Sequence, residues 1–395
     1  MKTLSLDSSV QQPPSRTILG RLSQIWDRLL QRLVLVGFYY VPILLAFVRP
    51  FLRRSDILEE YPGSVSFNKQ LYAIYVLWQH RSIPWYVINM LEGLKRHRVN
   101  SIVVCNNKLP EDQLATLRGL CATVIIRGNK GLDFGAYKDA FLLLTKRHRD
   151  IDRLIILNDS VYVFCGGLDK LLTDLLSEEN PVVSAYENWE VHYHFQSFCI
   201  ALAGTVLYHP RIQNYWRRYM PISIRRWCID HGEVQFSNAL RRVSPGFRIL
   251  FGINALLDAL TPDADWATLL QYREFVPRHV RGMFPHDDVL LMLAEADPGE
   301  RTIILRRLKE RMSDMLMQRA QSHTGVFFFP KFLSSPFLKR DIVYRELFTL
   351  YEVERMLVAL GYSEECHSIT DEIRRRGTAG HLKGLARRRY RLGLI

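Results

Sequence analysis

A glycine-bearing turn constrains the fold of this chain more than any other segment. It reads Arg-Gly-Asn-Lys-Gly-Leu-Asp-Phe-Gly at residues 127–135, and it joins a β-type run, Ala122 to Ile126, to a helical pattern, Ala136 to Leu144. Strand-to-helix turns are where α/β proteins hold nucleotides and phosphates, and glycines allow a ligand to approach the backbone closely. The turn therefore predicts an α/β fold with a phosphate-binding site. The alternative is a plain connector whose Asp133 caps the following helix.

A second polar strand end follows shortly afterwards. The apolar run Leu154 to Leu157 ends in Asn158, Asp159 and Ser160. Carboxylate, amide and hydroxyl oxygens are the ligands that Mg²⁺ and Mn²⁺ prefer, so this segment is a candidate site for a metal held against a diphosphate. The alternative is an ordinary turn or helix cap after a strand.

Strands alternate with helices through the first half of the chain, which indicates an α/β fold with a mainly parallel sheet. The patterns predict strands at 71–76, 101–105, 122–126, 151–157, 182–185 and 198–207, and helices at 85–96, 112–120, 136–144, 166–176, 211–242, 301–320 and 346–360. The predicted regions are a disordered N-terminus at 1–20, a basic and apolar segment at 21–60, a main domain at 70–345, and a helical C-terminal region with a basic tail at 346–395.

The charge balance suggests an anionic partner. The 395 residues include 53 Lys and Arg against 40 Asp and Glu, a formal net charge of +13. Nucleic acid, an acidic membrane surface and a phosphorylated substrate would each fit that surplus. The six cysteines form no Cys-x-x-Cys pair, which argues against a structural zinc site and favours free thiols in a reducing, cytoplasmic compartment.

The N-terminal region carries an apolar run at 33–52, interrupted by Pro42. Its length is borderline for crossing a bilayer, and basic residues flank both ends, so an in-plane or re-entrant membrane helix is favoured over a full span. The alternative is a hydrophobic arm packed against protein. Arginine clusters at 374–376 and 387–391 suit anionic lipid head groups, with a nucleic-acid arm or a solvated tail as alternatives.

Aromatic and polar side chains gather near residue 190. Trp189, His194 and Gln196 suit a sugar ring, which stacks on aromatic faces and bonds to amide and imidazole groups. His192 and His194 at alternate positions also suggest a metal, but no third ligand is evident. The segment 285–288, Pro-His-Asp-Asp, is interpreted as a turn with a helix cap.

Five sequence pieces, in this order, resemble the rhamnan synthesis F family of bacterial polysaccharide glycosyltransferases. They are the turn at 127–138, Leu-Asn-Asp-Ser at 157–160, Glu187-x-Trp189 with Gln196-Ser197-Phe198, Gly-Glu-Val-Gln-Phe-Ser at 232–237, and Pro-Phe-Leu-Lys-Arg at 336–340. The resemblance covers residues 70 to 345 and implies a GT-A-like nucleotide-sugar fold that transfers a deoxyhexose, often rhamnose, into lipopolysaccharide or cell-wall glycan.

The resemblance also implies roles for individual residues. Arg127, Asn129 and Asp133 would line the nucleotide-sugar pocket, and Asn158, Asp159 and Ser160 would stand where the Asp-x-Asp metal motif belongs. One carboxylate is present there instead of two, so Arg127 is a second candidate for neutralising the departing diphosphate. Glu233 resembles the base of inverting enzymes, with a role in beginning a helix as the alternative.

These observations predict a nucleotide-sugar-dependent, inverting glycosyltransferase. It would work at the cytoplasmic face of a bacterial inner membrane, held peripherally or by a single segment, and would act on a lipid-linked glycan with Mg²⁺ or Mn²⁺ as a possible cofactor. The alternative is a non-catalytic glycan-assembly subunit that keeps the fold, favoured by the single carboxylate at 158–160. Nucleic acid is not an expected partner, because no recognisable nucleic-acid motif is present.

Overall fold

A computed structural model describes residues 18–48, 55–79, 82–190, 192–260, 272–284 and 287–395. The strands of this described part are β1 Ile57–Pro62, β2 Leu71–Leu77, β3 Asn100–Cys105, β4 Thr123–Arg127, β5 Arg153–Asn158, β6 Val161–Val163, β7 Val182–Ser184, β8 Glu187–Asn188, β9 His194–Phe195, β10 Cys199–Ala203, β11 Phe247–Ile249 and β12 Phe337–Lys339.

The α-helices of the same part, numbered along the chain, are α1 Ile18–Leu35, α2 Val41–Val48, α3 Trp85–Arg96, α4 Glu111–Leu120, α5 Leu132–Arg147, α6 Leu168–Leu176, α7 Gly204–Leu207, α8 Pro210–Arg218, α9 Arg225–Trp227, α10 Gln235–Val243, α11 Ile253–Ala259, α12 Asp287–Glu295, α13 Pro298–Met317, α14 Gln321–Thr324, α15 Phe328–Leu333, α16 Leu350–Leu360, α17 Ser363–Arg376 and α18 Gly384–Arg391. Two π-helical turns, Val36–Tyr40 and Cys228–Val234, join α1 to α2 and α9 to α10.

One eight-stranded sheet organises the fold, in the order β1-β4-β3-β2-β5-β10-β7-β11. Its four neighbouring strands β4, β3, β2 and β5 run parallel, whereas β1 and β10 are antiparallel to their neighbours. In this register Leu77 pairs with Cys105, Cys105 with Ile126, and Val76 with Asn158. The carboxyl ends of the parallel strands therefore meet at one edge, where ligands bind in such sheets. The predicted α/β class with a mainly parallel sheet is confirmed.

Helices cover both faces of the parallel strands. Alternate residues of β2 point to opposite faces, so Ala73 and Tyr75 pack with α3 while Ile74 and Val76 pack with α5. This two-sided burial explains why the strand sequences are continuously apolar and lack a polar face. The helix predicted at 85–96 is confirmed at both ends.

Several boundaries differ from those predicted, for example α5, which begins at Leu132 and not at Ala136. The antiparallel edge strand β1 begins inside the predicted membrane-associated segment 21–60 and continues to Pro62, and no strand was predicted there because its exposed acidic residues do not fit an apolar run. The strand predicted at 198–207 ends at Ala203 and continues as α7. The helical stretch predicted at 211–242 is interrupted between α8 and α9. Most of the disorder predicted at 1–20, and part of the turn predicted at 285–288, lie outside the described residues.

The N-terminal segment is helical, as predicted. Within it, Leu22–Val48 spans 27 residues and is long and apolar enough to cross a membrane, judged by length and composition. Few of its side chains are buried, although Val34 and Ala46 pack against the protein. Its start lies beside the C-terminal helix α18, because Arg388 Nη2 donates to Asp27 Oδ1 at 2.9 Å.

The C-terminal region packs into the same hydrophobic core as one face of the sheet. Strand β12 pairs antiparallel with β6, immediately after the Asn-Asp-Ser segment. Helices α16 and α17 add Met356 and Ile369 to the same apolar cluster as α3. These long-range contacts place residues 337–340 at the carboxyl edge of the parallel strands.

Candidate functional site

The segment that follows β5 forms the floor of the candidate site. The side chain of Asn158 accepts a hydrogen bond from the Ser160 amide at 3.1 Å and donates one to Asp133 Oδ2 at 3.1 Å. Asp159 turns towards the end of β2, where its Oδ2 accepts from the Trp78 amide at 3.1 Å and from the Gln79 side chain. The two polar strand ends therefore meet, as their positions in the sequence predicted.

Asp159 faces a guanidinium group. Arg340 Nη1 lies 3.6 Å from Asp159 Oδ2 and also donates to the Asp159 carbonyl, and both side chains are 11% exposed. Within the part of the chain that the structure describes, no group of three His, Cys, Asp or Glu side chains is placed to hold a metal ion. The metal-ligand role predicted for Asp159 does not fit this donor set, because Arg340 already supplies the positive charge there.

The glycine-bearing turn presents Asp133 to the same site. Gly131 has φ +75° and stands at the start of α5, so Asp133 lies in the first turn of that helix and does not cap it. Burial, followed by the charges of Asp159 and Glu233, raises the pKa of the Asp133 carboxyl to about 7. A carboxyl group titrating near neutrality at a strand-to-helix turn is typical of a functional site.

The prediction that Arg127 faces the nucleotide sugar is wrong. Its side chain is 1% exposed, and its Nε donates to Asp139 Oδ2 at 3.1 Å while Nη1 donates to Asn106 Oδ1 at 2.7 Å. Its Nη2 donates to the Lys130 carbonyl at 2.8 Å. The hydrogen bonds of the guanidinium group thus stabilise the turn from its buried side, and no donor of this group faces a ligand site. Asn129 also acts through its backbone here, since its carbonyl accepts from the Leu132 amide at 3.3 Å.

Glu233 enters the site from the π-helical turn Cys228–Val234. Its Oε1 accepts a hydrogen bond from Ser197 Oγ at 2.6 Å, and its Oε2 lies 3.6 Å from His194 Nε2. Burial alone would raise the pKa of Glu233, but His194, Ser197 and Lys339 together hold it below its usual range. The carboxyl group is therefore ionised at neutral pH and can accept a proton.

His194 is oriented by the backbone. Its Nδ1 lies 2.6 Å from the His192 carbonyl, which leaves Nε2 facing Glu233. Burial lowers the pKa of His194, and the Glu233 carboxylate more than offsets this and raises it above the ordinary value. The exposed His192 contributes only its carbonyl to this arrangement.

The two remaining residues predicted to bind sugar occupy different surroundings. Gln196 is 6% exposed, and its Oε1 accepts no hydrogen bond from any residue that the structure describes. Such a buried, unsatisfied oxygen can accept a bond from a sugar hydroxyl. Trp189 is 42% exposed, in the loop between β8 and β9, with its ring 4.6 Å from that of Tyr193.

Lys339 completes the cluster, although the sequence indicated no role for it. Its Nζ lies 3.2 Å from Ser160 Oγ and 4.1 Å from the centre of the Phe198 ring. Residue 339 is 179 positions away from Ser160, and only the pairing of β12 with β6 joins them. In the sequence, the Pro-Phe-Leu-Lys-Arg piece at 336–340 contributed to the family resemblance. It did not indicate that this segment lies next to residues 158–160.

Comparison with known proteins supports the resemblance read from the sequence. Residues 101–270 match the family model described as rhamnan synthesis protein F. The match covers four of the five sequence pieces and the residues Asp133, Asn158, Asp159 and Glu233. The piece at 336–340, with Lys339, lies beyond it.

One curated protein is similar to part of this chain. Uncharacterized protein y4gN from Sinorhizobium fredii is 26% identical over 191 residues, a stretch that spans 47% of this chain and half the length of that relative. The name of this relative states no activity, so the match shows sequence similarity alone.

Two solved structures show distant similarity. The glycosyltransferase GlyE of Streptococcus pneumoniae has a TM-score of 0.27 and 12% identity, over 61% of this chain and 64% of its own. The mannosyltransferase PcManGT of Pyrobaculum calidifontis, solved in complex with GDP-Man and Mn²⁺, has a TM-score of 0.25 and 10% identity, over 87% and 95%. At these scores neither neighbour carries an argument about this chain, and its fold rests on its own sheet topology.

Proposed function

We propose that this protein is a glycosyltransferase that moves a sugar from a nucleoside diphosphate donor to the hydroxyl group of a glycan acceptor. The similarity of residues 101–270 to rhamnan synthesis protein F supports a role in polysaccharide synthesis. A deoxyhexose such as rhamnose is the proposed sugar. The proposed fold type is GT-A-like, with the donor at the carboxyl edge of the parallel strands β4, β3, β2 and β5.

One observation carries the proposal: the carboxyl groups of Asp133 and Glu233, from separate segments of the family match, lie in one site whose surroundings raise the pKa of the first and lower the pKa of the second. Glu233 and Asp133 interact electrostatically although they are 100 residues apart, and Gly232 packs against the Phe134 ring. A site whose environment drives two carboxyl groups to different pKa values is suited to acid–base chemistry.

The proposed chemistry is a single displacement with inversion. The acceptor hydroxyl oxygen attacks the anomeric carbon, its proton passes to Glu233, and the bond to the diphosphate breaks with its electron pair on the departing oxygen. His194 and Ser197 hold Glu233 ionised and oriented. Asp133, Asn158 and Ser160 would bind the nucleotide sugar, and Gln196 and Trp189 the sugars. Asp159 is paired with Arg340, and the proposed displacement uses no metal ion.

A lipid-linked acceptor at the cytoplasmic face of a bacterial inner membrane is part of the proposal. A cavity of about 160 Å³ lies between α2 and the glycine-bearing turn, lined by Pro42, Ala46, Lys130 and residues 220–223. An apolar helix next to the donor-binding turn would allow a lipid-linked acceptor to approach from the bilayer.

The test is calorimetric titration of the full-length protein with nucleoside diphosphate sugars, in EDTA and in Mn²⁺, followed by transfer assays with polyprenyl diphosphate-linked glycans. We expect one donor to bind and its sugar to be transferred with inversion. A protein that binds no donor under either condition would contradict the proposal.

A second candidate function is a glycan-assembly subunit that keeps the fold without turnover. The neutralisation of Asp159 by Arg340 favours it, since the single carboxylate of the motif is already occupied. Donor binding without transfer to any acceptor would establish this alternative. Transfer that requires Glu233 would eliminate it.

A further inference from the structure

Lys339 is a half-buried cation to which the proposed chemistry assigns no role. Its ammonium group donates to the neutral Ser160 hydroxyl at 3.2 Å and lies 4.1 Å from the centre of the Phe198 ring. Lys339 takes part in no ion pair with any residue that the structure describes, although Asp341, Glu233 and Asp133 act on it at longer range. Burial lowers the pKa of Lys339, and so does the nearby Arg225.

The neighbouring Arg340, in contrast, has carboxylate partners. Its Nε and Nη2 donate to Glu372 Oε1 at 2.9 and 2.7 Å, and its Nη1 faces Asp159. Arg340 therefore closes an internal ion-pair network that joins β12 to α17. Lys339 is also half-buried but forms no ion pair with a described carboxylate, and a charge partly withdrawn from water without such a partner is costly for a protein to keep.

The position of Lys339 indicates why an unfavourably placed charge would be kept. Strand β12 runs antiparallel to β6 and places Lys339 beside the hydroxyl of Ser160, at the carboxyl edge of β5. Asp133 of the donor-binding turn and Glu233, the residue proposed as base, both interact electrostatically with its charge, so all three side chains belong to the same site. This is where the diphosphate of a donor would need a positive charge.

We propose that Lys339 binds the diphosphate of the donor directly and takes the place of a metal ion. The inference rests on the proposed function and identifies which group supplies the positive charge. As the bond from the anomeric carbon to the diphosphate oxygen breaks, that oxygen keeps the electron pair, and the Lys339 ammonium stabilises the added negative charge. The acceptor proton goes to Glu233, so charge and atoms balance without a further reactant.

The test compares the wild type with Lys339→Met, Lys339→Arg and a control, Lys331→Met. Lys331 is an exposed lysine that also lies over an aromatic ring, 5.6 Å from the centre of Tyr272, but outside the cluster. Affinities for inorganic pyrophosphate, UDP, GDP and dTDP are measured by calorimetry in EDTA and again in Mn²⁺. The unfolding temperature of each ligand-free variant is measured in parallel.

We expect the wild type to bind pyrophosphate and one nucleoside diphosphate in EDTA. Lys339→Met should weaken both by about 10- to 100-fold, the range of a charge-assisted hydrogen bond. Lys339→Arg should restore part of the affinity, and Lys331→Met should match the wild type. Without ligand, Lys339→Met should unfold at the same or a higher temperature, because an apolar side chain replaces a half-buried charge that has no ion-pair partner among the described residues.

Three results would overturn this assignment. Unchanged affinity in Lys339→Met would remove Lys339 from the anion site, and a Lys339→Met protein that fails to fold would make the residue structural. Binding that requires Mn²⁺ would return the charge to a metal and leave the proposed transferase function standing. Failure of the wild type to bind any of the nucleoside diphosphates, with or without Mn²⁺, would overturn both proposals together.

Discussion

At the scale of single residues, the polar side chains of the site fall into two classes. Some have hydrogen-bonding partners within the protein, and others have a donor or acceptor that a ligand could use. Arg127 and Arg340 are arginines whose donors are occupied by Asp139 and Glu372 within the protein. Among the described residues, Lys339 forms no ion pair with a carboxylate, and the side-chain oxygen of Gln196 accepts no hydrogen bond. A buried polar group without a partner indicates a place where a ligand completes the structure.

Glu233→Gln should abolish most transfer while leaving the donor bound. An amide cannot accept the acceptor proton, so we expect turnover to fall by about 100-fold or more. The affinity for the donor should stay within about threefold, because an interaction made only in the transition state is lost. Initial rates with the donor found by calorimetry measure the effect. Glu310→Gln, at an exposed position of α13, is the matched control and should behave as the wild type.

Asp133→Asn should stabilise the protein in a pH-dependent way. The folded-state pKa of Asp133 is raised from its ordinary value of 3.8 to about 7, so the fold favours the neutral form, and stability falls as the pH rises from about 4 to about 7. The variant cannot ionise there, and its advantage should grow between about pH 4 and pH 7 and then level off. Urea unfolding at several pH values measures this. A stability difference that does not vary with pH would contradict the raised pKa.

At the scale of elements, the glycine-bearing turn depends on contacts at both of its ends. Gly131 has φ +75°, and a Cβ atom there would lie 2.5 Å from Pro221 Cβ. A Cβ atom on Gly135 would lie 2.0 Å from the Lys130 carbonyl oxygen. The first glycine therefore serves backbone conformation and packing against the segment before α9, and the second serves the close approach of the turn to α5.

Gly131→Ala should destabilise the protein by more than about 1 kcal/mol, because strain from positive φ adds to the clash with Pro221. Gly119→Ala is the matched control, since Gly119 lies in α4 with open space around its Cβ position. That substitution should stabilise by roughly 0.5–1 kcal/mol through helix propensity. Urea unfolding of the two variants should shift the midpoint in opposite directions, and equal shifts would refute the role given to the turn.

At the scale of the whole molecule, the helical segment at 18–48 contacts the C-terminal helix α18. Arg388 of α18 pairs with Asp27 of α1, and the Arg389 guanidinium lies 4.7 Å from the centre of the Phe38 ring. The basic C-terminal helix thus lies along the exposed apolar helix at 22–48. An apolar surface bordered by arginines matches the interface of an anionic bilayer, which supports the proposed membrane association.

Arg387→Glu with Arg391→Glu should weaken binding to vesicles that contain phosphatidylglycerol. Both arginines are exposed on or at the end of α18, and each basic residue near an anionic surface contributes about 1 kcal/mol. Binding should fall by about tenfold or more in co-sedimentation at low salt. Arg306→Glu with Arg307→Glu, an exposed pair on α13, makes the same change in net charge and should have a smaller effect. Equal losses in the two double variants would show that only net charge matters.

Local patterns predicted the parts of the fold that depend on local physics. Apolar runs of strand length and helical spacing placed β2, β3, β4 and α3 within one or two residues, because periodicity follows from which side chains face the core. They missed β1, whose polar residues suit an exposed edge strand. They also extended β10 too far, because an apolar run alone does not distinguish a strand from a short buried helix.

The sequence by itself determined the α/β alternation, the glycine-bearing turn and the resemblance to rhamnan synthesis F proteins. It also placed Asp133, Asn158 and Glu233 among the site residues, and the structure brings these three together. Only the tertiary structure decided that Arg127 turns inward, that Arg340 neutralises Asp159, and that Lys339 enters the site. The physical reason is distance along the chain. The pairing of β12 with β6 joins residues about 180 positions apart, and such contacts depend on how whole elements pack, which no local pattern encodes.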